Sequence, residues 1–168
     1  NRGVGAYLTK EWSGVMATTF GYNFGRSQAK DVKVVDTDVE DAQSIVNIAG
    51  LILSQRFDDR DALFAPTRGA FLNASVELAA EGLGSELEFF RGKLSSSWFR
   101  RLNPDTVLGL SLRAGLIAPA YDEESIPIQE RFFAGGGNSV RSFKESELGP
   151  KDVNGEPLGG EVFATASA

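Results

Sequence analysis

The chain has 168 residues, a formal net charge of −6, and neither cysteine nor histidine. These values exclude a disulfide framework and a thiolate metal site, and they argue against the broad basic surface that nucleic-acid binding needs. They also remove the most common metal ligand and the most common general base together, so only carboxylate or Ser/Lys chemistry is left open to an enzyme.

Hydrophobic residues make up 42% of the chain, which does not separate a soluble β-domain from a membrane barrel, because barrels distribute their apolar residues in alternation. No run of about 18 apolar residues is present, so no membrane-spanning helix is expected. No basic start leads into an apolar core, so no signal peptide is expected. The chain opens at Asn1 without an initiator Met and reads as an excerpt of something longer.

Taken in order, the text divides into runs of strand length separated by turn signals. Val4, Ala6, Leu8 and Trp12 form a first apolar stripe, with Lys10 placed to snorkel near an interface. Met16, Thr18, Phe20, Tyr22 and Phe24 share the face of a second run, against Ala17, Thr19, Gly21 and Asn23. The connection from Arg26 to Ser44 carries Asp31, Asp36, Asp38, Glu40 and Asp41, an acidic stretch that matches no calcium-loop spacing and reads as a solvated loop. Ile45 to Phe57 is apolar on both faces in its middle.

A compact segment, Asp58 to Gly69, follows and is read as a turn. Asp58, Asp59 and Asp61 could otherwise pass for paired catalytic carboxylates. From Ala70 to Glu81 one face is wholly apolar (Ala70, Leu72, Ala74, Val76, Leu78 and Ala80), and the other, Phe71, Asn73, Ser75, Glu77, Ala79 and Glu81, is mostly polar. A short turn is expected at Gly82–Ser85. Then Phe90, Leu94 and Trp98 face one way and Arg91, Lys93, Ser95 and Ser97 the other. After a turn at Leu102–Asp105, Leu108, Leu110, Leu112, Ala114 and Leu116 oppose Ser111 and Arg113. The clearest runs reach the 9–11 residues that a tilted strand needs to cross a bilayer. Trp12, Phe20, Tyr22, Phe24 and Trp98 fit either interfacial girdles or ordinary core aromatics, and Arg91, Lys93 and Arg113 either a lumen wall that could meet a loop or a solvent-facing side.

The long connection after Pro119 carries the most specific text: Arg131-Phe132-Phe133-Ala134-Gly135-Gly136, then Val140-Arg141-Ser142-Phe143, Gly149-Pro150 and Gly159-Gly160. It resembles the sixth extracellular loop of the BamA/TamA superfamily of outer-membrane protein insertases. Upstream, Asp61, Pro66, Thr67, Arg68 and Gly69 resemble that family's periplasmic turn before a long strand. Asp152 to Gly160 leans toward the TamA side. The family has glycine where this chain has Ser142, and glycine is usually needed where φ is positive or backbones pack closely.

The resemblance implies an all-β antiparallel transmembrane barrel, of which residues 1–168 are one partial domain with about seven meander strands out of roughly sixteen. It implies that loop 119–158 folds into the lumen, where Arg141 docks on wall strands expected after Ala168. It further implies a non-enzymatic role in inserting proteins into the bacterial outer membrane, by membrane thinning and by opening of a strand seam. The implied partners are the lipid bilayer, nascent outer-membrane or autotransporter polypeptides and accessory assembly subunits, with no nucleic acid, no cofactor and no metal.

Other readings stand beside it. A polypeptide secretion pore belongs to the same superfamily, whereas a soluble β-sandwich binding module and a carboxylate-based glycan hydrolase belong to other classes. A phosphate-cradling reading of Gly135-Gly136-Gly137-Asn138-Ser139 lacks the Gly-Lys-Ser/Thr ending and the strand-to-helix setting that it needs.

Overall fold

The computed structural model describes residues 2–28, 45–121, 126–137 and 139–168. The acidic stretch between Asp31 and Asp41, and Asn138, lie outside the described residues. Seven strands follow one another: β1 Arg2–Ser13, β2 Met16–Gln28, β3 Ile45–Asp58, β4 Arg68–Ala79, β5 Phe89–Asn103, β6 Thr106–Pro119 and β7 Val162–Ser167. They form one sheet in chain order, every neighbouring pair antiparallel. A soluble sandwich needs two packed sheets, and the described residues make one, so that reading is corrected to a single meander.

The first six strands are 12 to 15 residues long, far above the five or six typical of soluble strands. Each exceeds what a bilayer crossing requires.

The register divides the sheet into two faces, because directly paired residues point the same way. One face carries Leu8, Phe20, Leu53, Val76, Leu94, Leu112 and Val162, and it is bare: Leu8 is 77% exposed, Phe20 49% and Val162 76%. An apolar surface of that breadth on a soluble chain would demand a partner. The other face is polar along most of its length. It carries Thr9, Thr19, Asn23, Ser54, Asn73, Glu77, Arg91 and Lys93. Side chains there bond to one another across strands: Thr9 with Thr19, Ser54 with Asn73, and Asn23 with Glu77.

Apolar and polar faces swap roles at one end. Val46, Ile48, Ala79, Phe89 and Ile117 lie on the polar face near the long connections and are buried together with Ile126 of the loop. The two-sided hydrophobicity of β3 thus has a local cause: one side belongs to the bare apolar face, and its first inward residues meet the loop.

The β4–β5 connection is not the tight turn expected at Gly82–Ser85. The ladder ends at Ala79, and the chain makes a 3-10 turn at Glu81–Leu83 before β5 begins at Phe89. It straddles the sheet rim. On the bare face the Tyr22 hydroxyl donates to the Leu83 carbonyl (2.9 Å), and Glu86 accepts from the main-chain and side-chain nitrogens of Asn47. On the loop face Leu87 packs against the buried cluster.

Candidate functional site

The site is the loop between β6 and β7 and the wall beneath it. Its base is fixed first by main chain: Phe132 and Gly160 exchange both backbone hydrogen bonds at 2.8 Å. The Phe132 ring lies against Gly115 of β6, where a Cβ atom would come within 2.7 Å of it, and stacks on Phe163 with centroids 6.1 Å apart. The absent side chain at position 115 makes the slot that holds the loop down. Arg131 turns its Nε to the Ile126 carbonyl at 2.8 Å, which closes the loop base on itself.

A charged clamp stands beside this aromatic contact. Arg91 of β5 pairs with Glu77 of β4 (3.0 Å) and with Glu130 of the loop, and its second nitrogen also reaches the Glu130 carbonyl. These three side chains are nearly buried, at 12% exposure, so the charges interact strongly and the arrangement depends on all of them. Asn23 of β2 donates to Glu77 at 3.2 Å and extends the network to a fourth element. A polar recess of about 350 Å³ opens next to it, between Arg91, Glu130, Asn23 and Tyr7.

Beyond the base, the loop holds its own shape. Gly135 has φ +116°, and a Cβ there would lie 2.2 Å from the Lys144 carbonyl, so no other residue fits without moving the backbone. The Ser139 hydroxyl takes the Gly135 amide and donates to the Gly135 carbonyl, a turn closure in place of a phosphate cradle. Gly136 donates to the Phe143 carbonyl, and Phe143 donates to Val140, which makes Val140–Phe143 one tight turn. Ser142 is exposed and has no positive φ, so the serine fits where glycine is usual; the residue in the left-handed region is Ser146, at φ 63°. Gly149 and Pro150 form a bend, and the Pro150 carbonyl accepts from Leu158. Gly159 is buried beneath Arg131 and Phe133. Arg141 is exposed at the tip, and no carboxylate among the described residues pairs with it.

At the opposite end the β3–β4 connection is stapled by Asp61. Its carboxylate accepts the Thr67 hydroxyl and the amides of Thr67 and Arg68. The Thr67 hydroxyl bond, followed by the amides, holds this carboxyl down to about 2 from 3.8. Gly69, at φ +103°, would put a Cβ 2.5 Å from the Asp59 carbonyl. Pro66, half-buried, lies between Asp61 and Thr67. Asp59 takes the Ala70 amide and Asp58 pairs with Arg60. The acidic trio is therefore turn architecture and not a pair of carboxylates facing a cleft.

Of the residues singled out from sequence, the loop set comes together around Phe132 and Gly135, and the Asp61–Gly69 set comes together at the far end. Glu130, Gly115 and Ile126 were missed, because their roles depend on which strand residue faces them. Arg91 was legible as a wall residue that could meet a loop.

An uninterrupted meander of long strands, apolar and bare on one side and polar with an inward-packed loop on the other, defines a segment of an outer-membrane-type β-barrel. The Omp85 superfamily domain matches residues 1–168, and the chain belongs to that family. It is 37% identical over 106 residues to sorting and assembly machinery component 50 homolog B of Xenopus laevis, covering 63% of this chain and 22% of that protein. It is 33% identical over 112 residues to the outer membrane protein assembly factor BamA of Neisseria meningitidis serogroup B, covering 64% of this chain and 14% of that protein. The fold matches the crystal structure of BamA from Haemophilus ducreyi lacking POTRA domains 1-3, with a TM-score of 0.80 at 16% identity over 98% of this chain and 35% of that one. The chain thus spans less than a quarter of these two curated relatives, and the similarity is not confined to bacteria.

Proposed function

We propose that this segment is the part of an outer-membrane protein insertase that carries and docks the Arg141 loop. The observation that carries the reading is the seating of the loop base on the polar face by Phe132 and Arg91, which leaves the Val140–Phe143 turn free at its tip. A guanidinium offers five donors in a fixed fork, suited to carboxylate and carbonyl partners in a polar lumen. The wall that receives it belongs to strands beyond β7. On this reading the bare face meets lipid and the membrane is a bacterial outer membrane. The cargo is nascent outer-membrane or autotransporter polypeptide, taken up by strand pairing at an open seam and assisted by accessory subunits. The names of the Neisseria and frog relatives, both concerned with assembly, support it.

The test uses the full-length protein reconstituted in lipid. Arg141→Ala is expected to slow insertion of an added barrel substrate and to speed protease cleavage of the loop. Wild-type insertion with unchanged loop protection would sink the assignment. Export of a soluble partner polypeptide, without insertion of barrels, would replace it with the secretion-pore reading.

A further inference from the structure

Arg68 of β4 and Arg100 of β5 are direct cross-strand partners. Both lie on the bare face by register with Ala70 and Trp98, at the end of the sheet that carries the short turns. Both are exposed. Like charges placed directly opposite on a ladder, with Cβ atoms about 5 Å apart, destabilise the pair unless an anion lies between them. The nearby carboxylates are committed elsewhere: Asp59 accepts the Ala70 amide, and Asp61 accepts from Thr67 and from the Arg68 main chain. No carboxylate among the described residues pairs with either guanidinium.

Their setting is amphipathic. Trp98, 41% exposed, flanks Arg100 on the same face of β5, and Leu102, 54% exposed, follows in the bulge that ends the strand. On β1, three strands from β4, the Lys10 ammonium sits 4.0 Å over the Trp12 ring, another basic–aromatic pair at the same end. Aromatic rings beside basic side chains mark the depth at which apolar chains give way to headgroups. Two guanidinium forks at that depth match the oxygens of one phosphate diester.

We propose that Arg68 and Arg100 form a binding site for the headgroup phosphate of an anionic phospholipid in the leaflet on the short-turn side. The proposal rests on the membrane-barrel reading above. The phosphate neutralises the like-charge pair, its acyl chains run along the apolar face beyond Trp98, and the site fixes the height of the β4–β5 edge in the bilayer.

The test is native mass spectrometry of the full-length protein, exchanged from detergent into mixed micelles of phosphatidylglycerol and phosphatidylcholine, with heat-modifiable gel mobility measured on the same samples. Wild-type protein is expected to retain phosphatidylglycerol preferentially, by roughly fivefold per arginine. Arg68→Gln with Arg100→Gln should abolish the preference while keeping the mobility shift. Arg101→Gln, one residue along on the opposite face, should change nothing. Arg68→Lys with Arg100→Lys should keep a reduced preference and guards against misfolding of the neutral variant. A folded barrel with no preference in the wild type, or with full preference in the glutamine variant, overturns the site alone. Retention of inorganic phosphate in place of lipid overturns the lipid assignment. Loss of the mobility shift in the wild type overturns the barrel reading and the site with it.

Discussion

Arg91 on β5 and Glu130 in the loop form an ion pair across the polar face of the sheet, and the same guanidinium also holds Glu77 on β4. The loop is therefore joined to two strands through a single side chain. Arg91→Ala leaves two nearly buried carboxylates without their cation, and loss of about 3 kcal/mol is expected. The measurement is the urea midpoint of protein refolded in detergent. Adding Glu130→Gln to Arg91→Ala should return part of that loss, since one of the two like charges left by Arg91 is removed. An Arg91→Ala midpoint equal to wild type would show that the clamp contributes nothing.

The Asp61 staple is sensitive to acid in one direction. Its carboxyl is held at about 2 when the turn is formed and titrates near 3.8 when it is not. A depressed folded value contributes stability that is present above 3.8 and lost as the pH falls through about 2. Hydrogen exchange at the amides of Thr67 and Arg68 should stay protected at pH 5 and become fast, relative to intrinsic rates, as the pH approaches 2. Asp61→Asn should lose the protection at both values. Equal protection at pH 5 in the variant would show that the main chain holds the turn unaided.

Gly135→Ala should loosen the loop tip, because the new methyl meets the Lys144 carbonyl and the backbone must leave its positive φ. A cost of about 1–3 kcal/mol is expected, read as faster proteolysis between residues 135 and 147. Ser142→Gly should leave that rate unchanged, since Ser142 occupies ordinary backbone space at the surface. A faster rate in Ser142→Gly with none in Gly135→Ala would reverse the assignment of strain.

The two faces of the sheet predict opposite tolerance to charge. Leu112→Arg, on the bare face, is expected to cost about 2–4 kcal/mol if it sits near the middle of the hydrocarbon. Ser75→Glu, opposite Lys93 on the polar face, should stay within about 0.5 kcal/mol. Folding titrations in lipid vesicles measure both. Similar values for the two would argue against a lipid-facing surface.

Much of this architecture was legible before any coordinates. The Leu108–Leu116 and Ala70–Leu78 stripes fall on the bare face as their period of two requires, and the described residues form seven strands. The resemblance located the loop and the Asp61 turn. What escaped was everything set by contact across the face. Nothing in Glu130 alone says that Arg91 will lie opposite, and nothing in Gly115 says that an aromatic ring will fill its place. Ile48 reads the same whether it faces lipid or Ile126. The β4–β5 turn was misjudged for a related reason: its glycines suggested a hairpin, whereas Tyr22 and Asn47, 61 and 39 residues upstream of their partners, draw it out over the rim.

That rim-straddling connection also has a mechanical meaning. The first residues of β3 are gripped from both sides, by the Glu86–Asn47 contact on one and by Leu87 on the other, while Leu83 holds Tyr22 of the neighbouring β2. Peeling β3 away from that end must break the grip before the first rung of the ladder yields. Under a pulling force the strand should hold and then release in a single step, so this edge of the wall behaves as a latch and not as a zipper.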